Sequence, residues 1–268
     1  MEDDLTYREL VDELQALGLT PDLHANVIAH VSLEAIGQVQ GGAPTVVGAI
    51  LACAETLVMP AFTFQTMVVP EYGPPDNGIE YGGATERNAL AEFFRPDLPV
   101  HPDLGPVPEA LRADNDTLRS IHPVLSFVAQ GSHAHDILAT QSVGNPFGPV
   151  EWLAANNGYV LLLGKDHKAN FALHLAEQRA GRQGFVRWAL TLDDIEELPN
   201  FPGCSDGFES AADYLTDMTR QREIGFATAQ LIPLPAMLAR IEALVAYHPY
   251  ALLCHRATCA RCRAREPQ

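Results

Sequence analysis

Short apolar runs of strand length alternate with helix-period segments along most of this chain, and that alternation is what most constrains its fold. Residues 25–31 read as a strand, 32–42 as a loop or short helix, 44–54 as a helix and 56–60 as a second strand. Pro44 falls in the first turn of that helix, where a missing N–H costs little. The first 60 residues therefore read as a β-α-β unit. Residues 122–129, 159–163, 185–191 and 224–231 read as further strands. The segments 132–138, 149–155, 170–177, 208–218 and 234–246 read as helices. An amphipathic helix opens the chain, apolar at Leu5, Leu10, Leu14 and Leu17 and closed by Gly18. Strands and helices in alternation pack as a sheet with helices on both faces, so the expected fold class is α/β, a layered α/β/α sheet.

Residues 70–108 break the pattern. They are rich in Pro, Gly and Asn, with Tyr72, Tyr81, Phe93 and Phe94 interleaved. A long irregular stretch that still carries aromatic residues is expected to be a packed binding loop.

Composition narrows the function. At 47% hydrophobic residues the chain can bury a sizeable core, so a disordered chain is excluded. No apolar run reaches the roughly 18 residues that span a bilayer. The opening Met1-Glu-Asp-Asp-Leu5 is acidic where a secretory signal would be basic, which gives a cytoplasmic expectation. A net charge of −17 argues against nucleic acid as partner and suits a cationic small molecule, although it also serves plain solubility.

The segment Asn170-Phe-Ala-Leu-His-Leu-Ala-Glu177 follows the apolar run at 159–163. On a helix, Asn170 four residues before His174 and Glu177 three after it would share one face. An amide and a carboxylate on one imidazole fix its ring and support its proton, as a general base requires. A packed histidine on a Leu/Ala-rich helix is the plainer alternative.

The five cysteines sit in a chain read as cytoplasmic, so thiols rather than disulfides are expected. Cys254, Cys259 and Cys262 cluster, and Cys204 could join them as a fourth ligand of a structural zinc, with His255 as a possible substitute. The competing reading is a reduced basic tail, because Arg256, Arg261, Arg263 and Arg265 crowd it. Cys53 lies in an apolar helix and reads as core.

Three motifs, in order, carry a resemblance. They are His30-Val-Ser-Leu-Glu-Ala-Ile-Gly-Gln-Val-Gln-Gly-Gly-Ala43 followed by Thr56-Leu-Val-Met-Pro60; Arg119-Ser-Ile-His-Pro123 with Ser126; and Gly164, His167, Asn170, His174 and Glu177. Together, over roughly residues 5–245, they resemble the aminoglycoside 3-N-acetyltransferase family, the antibiotic N-acetyltransferases. The resemblance implies a single acetyltransferase domain over 1–268, with 70–108 as acceptor-binding loop and 250–268 as a cysteine-rich tail. It implies direct acetyl transfer from acetyl-CoA to an amine, the chemistry of antibiotic resistance, with His174 as base and Asn170 and Glu177 as its supports. His30, Ser32, Leu33, Gly37, Val39, Gly41, Gly42 and Ala43 would line the coenzyme A site, with Ser120 and Ser126 near the pantetheine or pyrophosphate. Ser32 is equally readable as a helix N-cap. Glu80, Glu92, Asp103 and His167 are the candidate acceptor contacts, with Glu71 and Asp76 beside them. Another amine or acyl-CoA, or a non-catalytic binding protein, are the alternatives, in a monomer or homodimer. Phe171 and Ala172 replace the family's usual Thr and Ser, and Val100-His-Pro-Asp103 replaces its F-D-P, so the acceptor side departs most from the pattern.

Overall fold

The computed structural model describes residues 4–266. Both ends of the 1–268 span, and the last two residues of the cysteine-rich 250–268 segment, lie outside the described residues. The strands are β1 (Asn26–Val31), β2 (Thr56–Pro60), β3 (Met67–Val68), β4 (Leu118–Arg119), β5 (Phe127–Gly131), β6 (Tyr159–Leu163), β7 (Phe185–Leu190), β8 (Ile195–Phe201), β9 (Arg220–Ile224) and β10 (Ala227–Pro233). Seven of them form a mixed sheet in the order β4-β5-β2-β1-β6-β10-β9. Its centre is parallel: β1 pairs with β2 (Asn26 opposite Thr56) and with β6 (Val27 opposite Tyr159). Antiparallel strands complete both sides, β5 and β4 beyond β2, and β10 and β9 beyond β6.

The central strands are almost wholly apolar, Asn26, His30 and Thr56 apart, because both sheet faces are covered. Val27, Ala29 and Val31 of β1 face one core with Leu57, Met59, Leu161 and Leu163, while Ile28 faces the other with Val58, Val160 and Leu162. Helices Tyr7–Leu17, Gly42–Cys53 and Pro106–Arg112 cover the first face through Leu10, Leu14, Val46, Ile50 and Leu111. Helices Gly148–Ala155, Ala172–Arg179 and Leu234–Tyr247 cover the second. The layered α/β/α expectation holds, and so does the β-α-β unit of the first 60 residues. The opening helix stops at Gly18 as its sequence promised, but begins at Tyr7 instead of Leu5. Thr6 and Glu9 form a reciprocal capping box, and Gly18 closes the helix at φ 103, a conformation that favours glycine.

Three further boundaries differ from the sequence reading. Residues 122–126 form a turn instead of the start of β5, because the buried His122 Nδ1 accepts the backbone N–H of Val124 (3.2 Å) and Leu125 (3.0 Å). The run 224–231 is split by Gly225 at φ 60, which turns β9 back on β10. Helical structure expected over 208–218 is confined to a 3-10 turn, Phe208–Ala211, and Ala212–Leu215. The strand expected at 185–191 belongs to a second sheet, β3-β7-β8, antiparallel throughout.

The irregular 70–108 stretch is attached mainly by side chains. Asn88 stands in for a strand neighbour, its amide accepting from Val69 N–H (2.9 Å) and donating to Val69 O (2.8 Å). Asn77 does the same for Val186. Arg119 donates to the carbonyls of Pro96, Leu98 and Ala61, which fastens the stretch to the end of β2. Such contacts leave no periodic trace in the sequence.

Candidate active site

A cavity of about 440 Å³ opens at the C-terminal ends of the parallel strands, where α/β sheets bind ligands. The end of β1 supplies His30, the end of β2 supplies Pro60, and the loop after β6 supplies Lys165 and Asp166. Gly164 starts that loop at φ 67, and a Cβ there would lie 2.7 Å from the Ala35 Cβ, so glycine is required for the chain to pass.

His174 reaches the cavity from the helix Ala172–Arg179. Its ring is packed between Phe208 (centroids 4.5 Å apart) and Phe171 (5.8 Å). Its Nδ1 lies 2.9 Å from Glu177 Oε2. With Nδ1 engaged, Nε2 is the nitrogen left for a substrate. Glu177 is 1% exposed and is clamped by two guanidinium groups, Arg265 on Oε2 at 3.1 Å and Arg182 on Oε1. Burial acts to raise the Glu177 pKa, but His174, Arg265 and Arg182 together hold it below the ordinary carboxylate value. Burial lowers the His174 pKa, against the pull of Glu177 and with the help of Arg265 and Arg261. A neutral imidazole donating Nδ1–H to a carboxylate is the state that accepts a proton at Nε2.

Asn170 departs from its expected role as a support of His174. The helix starts at Ala172, and Asn170 lies before it at ψ 88, so the four-residue spacing no longer places the two on one face. Its amide nitrogen meets His167 Nδ1 (3.3 Å) and the Met237 sulfur (3.3 Å), and its Oδ1 is buried without a partner. His167, expected at the acceptor, is 1% exposed and faces Asn170 instead of the cavity. Of the other acceptor candidates Asp103 lines the cavity, while Glu80 and Glu92 are exposed on the 70–108 stretch and do not.

The cofactor candidates divide in the same way. His30 lines the cavity. Ser32 caps a short helix, accepting from Ala35 N–H (3.3 Å), and Leu33 opens that helix. Gly37 ends it at φ 98. Val39 bridges to Leu5. Gly41 and Gly42, both at positive φ, lead with Ala43 into the helix Gly42–Cys53. Ser120 and Ser126 are buried and used internally. Ser120 Oγ accepts from Phe127 N–H (2.8 Å), and Ser126 Oγ donates to Ala61 O (2.7 Å) and accepts from Arg119 (3.1 Å). Neither is free to meet a ligand, in contrast to the expectation.

Cys204, Cys254, Cys259 and Cys262 do come together, with all four sulfurs within 4.8 Å of one another. A tetrahedral zinc with Zn–S bonds of about 2.3 Å needs sulfurs about 3.8 Å apart, which small side-chain rotations would provide. His255 is exposed and is not part of the group.

The sequence reading missed Arg265 and Arg182 as partners of Glu177, and Lys165, Lys168 and Arg261 on the cavity wall. The arginines of the tail were visible, but a partner 88 residues away in the chain leaves no local pattern.

Two buried histidines make the fold acid-sensitive. Burial, aided by Lys165, lowers the His30 pKa to about 3, and burial lowers that of His122 to about 4, both from 6.5. The unfolded chain therefore binds more protons than the native one below 6.5, and stability is lost as pH falls from there toward about 4 and about 3. At about 1.4 kcal/mol per pKa unit the loss is on the order of several kcal/mol. Thermal melts between pH 7 and pH 4 are expected to show it. A melting temperature independent of pH over that range would overturn the assignment.

A buried, carboxylate-backed imidazole thus sits on a cavity at the C-terminal ends of parallel strands, where α/β enzymes bind their ligands. Comparison with known proteins gives the chain its family. The Antibiotic_NAT family, aminoglycoside 3-N-acetyltransferase, matches residues 28–246, and the chain belongs to it. It is 32% identical over 187 residues to the SPbeta prophage-derived aminoglycoside N(3')-acetyltransferase-like protein YokD of Bacillus subtilis (strain 168), covering 68% of each chain. It is 30% identical over 245 residues to aminoglycoside N(3)-acetyltransferase III of Serratia marcescens, covering 81% of this chain and 88% of that one. Its fold matches the crystal structure of the aminoglycoside acetyltransferase AAC(3)-IVa apoenzyme with a TM-score of 0.81 and 28% identity, over 99% of this chain and 98% of that one. A histidine-to-alanine variant of AAC(3)-IVa, solved in complex with a gentamicin, matches with a TM-score of 0.79 and 26% identity over the same shares of the two chains.

Proposed function

We propose that this protein transfers the acetyl group of acetyl-CoA to an amine of an aminoglycoside-like, cationic acceptor, in the cytoplasm, with His174 as general base. One observation carries the reading. His174 is held neutral, its Nδ1 turned to Glu177 and its ring on a cavity that Asp103 also lines. His174 Nε2 takes a proton as the amine attacks the thioester carbonyl. The tetrahedral oxyanion then collapses, the C–S bond breaks, and the imidazolium returns the proton to the thiolate of coenzyme A. Holding both substrates in one cavity removes much of the entropic barrier to their encounter.

His30, Ser32, Leu33, Gly37, Val39, Gly41, Gly42 and Ala43 are the proposed coenzyme A side. Backbone N–H groups at the start of Gly42–Cys53 suit its phosphates. Lys165, Lys168 and Arg261 add positive charge on the cavity wall. Asp103, on the 70–108 stretch, is the carboxylate for the amine. Residues 1–268 act as one acetyltransferase domain, 70–108 receiving the acceptor. The tail at 250–268 is proposed to hold a structural zinc through Cys254, Cys259 and Cys262, with Cys204 as fourth ligand, which the convergence of four thiols supports.

The test is thiol release from acetyl-CoA across gentamicin, apramycin and simple diamines. Turnover with aminoglycosides, and little with diamines, is the expected result. Coenzyme A binding without acetyl transfer to any amine would overturn the proposal.

A further inference from the structure

The sequence reading treated the basic, cysteine-rich tail and the His174 pair as separate features. The structure joins them through one side chain. Arg265 lies three residues beyond Cys262, and its backbone N–H donates to Cys262 O (3.0 Å). Its guanidinium is buried, donating from Nη1 to Glu177 Oε2 (3.1 Å) and from Nε to Gln183 O (3.1 Å), and it lies over the Phe185 ring at 4.7 Å. Glu177 Oε2 is the same oxygen that meets His174 Nδ1. One carboxylate oxygen is thus shared between the proposed base and an arginine placed by the cysteine cluster.

The route of the side chain is also specified. A Cβ on Gly203 would lie 2.4 Å from Arg265 Nη1, so the guanidinium occupies space that only glycine leaves open. Gly203 immediately precedes Cys204, so the cluster fixes both the arginine and the gap that admits it. The turn between Cys254 and Cys262 is closed on itself, with Cys254 N–H donating to the Cys262 sulfur (3.4 Å).

We propose that Arg265 is a positioning residue for acetyl transfer, and that the four-cysteine cluster supports catalysis by holding Arg265 against Glu177. Arg265 does not touch substrate. It fixes the carboxylate, the carboxylate fixes the Nδ1–H tautomer, and the tautomer points Nε2 at the amine. A bidentate-capable guanidinium suits this task, because it reaches a carboxylate and a carbonyl at once from a rigid plane. The inference rests on His174 being the base, and the experiment separates the two claims.

Steady-state kinetics of Arg265→Ala, Arg265→Lys, Gly203→Ala and His174→Ala are measured on the full chain, with melting temperatures recorded for each. A small displacement of a catalytic group costs about 100-fold in rate, so Arg265→Ala should lose about that much kcat with both KM values within about twofold. Arg265→Lys should regain part of the loss, and Gly203→Ala, which displaces the guanidinium without removing it, should fall between. Full kcat in Arg265→Ala and Gly203→Ala beside an inactive His174→Ala overturns the role of Arg265 and leaves the base in place. A loss in Arg265→Ala that Arg265→Lys does not restore, or that appears in KM alone, also overturns it. Turnover surviving in His174→Ala removes the base itself.

Discussion

His174→Ala is expected to lower kcat by about 10²–10⁴-fold while acetyl-CoA still binds. The size follows from what the imidazole does. A protonated amine has no free pair, so transfer without the base must rely on the small fraction of amine already deprotonated, or on water as acceptor. Binding should survive because the proposed coenzyme A contacts come from residues 30–43 and the cavity wall, not from the His174 ring. Burial holds the His174 pKa below its ordinary value of 6.5, so the acid limb of kcat/KM in the wild type should also fall below 6.5. The measurement is thiol release from pH 5 to 9 for both proteins, with coenzyme A affinity by calorimetry. Wild-type kcat in the variant would remove the base assignment, and loss of coenzyme A binding in step with turnover would recast His174 as a binding residue.

With zinc held by the four thiols as proposed, Cys262→Ser is expected to remove close to one equivalent of metal per chain and to lower the melting temperature by about 5–15 °C. Structural zinc in small domains contributes folding energy outright, but this cluster is buttressed by a large core, so a loss of several kcal/mol is the appropriate scale. Cys262 is buried with Leu253 and Cys204, so serine also leaves a hydroxyl in an apolar pocket. Cys53→Ser serves as the control, because Cys53 packs under the opening helix on the far face of the sheet. Metal content by mass spectrometry separates the two effects. A wild-type sample that is folded, active and free of metal would leave the four thiols as a reduced cluster only.

The parts of the molecule legible in the sequence are those whose physics is local. β1, β2 and β6 are buried on both faces and announce themselves as short, mostly apolar runs. The opening helix shows its period and its C-terminal stop at Gly18. Edge strands carry no such signal. β8 begins Ile-Glu-Glu and β9 reads Arg-Gln-Arg-Glu-Ile, charged and exposed, so they look like loops until the sheet is seen. At the site, the spacing argument found Glu177, which lies one helical turn from His174. It misplaced Asn170 because spacing has meaning only inside the helix, and the helix begins two residues later. Three thiols of the cluster were recoverable because Cys254, Cys259 and Cys262 are close in sequence and so in space, whereas Cys204, far from them in the chain, entered only as a candidate fourth. The cluster's connection to Glu177 through Arg265 was not recoverable, since it depends on tertiary packing alone.

The way 70–108 is fastened shapes how such a protein diversifies. Its anchors are a few long-range side chains, Asn77, Asn88 and Arg119, rather than ladders of paired strands. Exposed residues between those anchors can be exchanged without disturbing the register of the sheet or the seat of His174, whereas the buried Phe94, Leu98 and Val100 hold the stretch in place. Change along this one ribbon of the surface therefore leaves the sheet and the His174–Glu177 pair beneath it as they are.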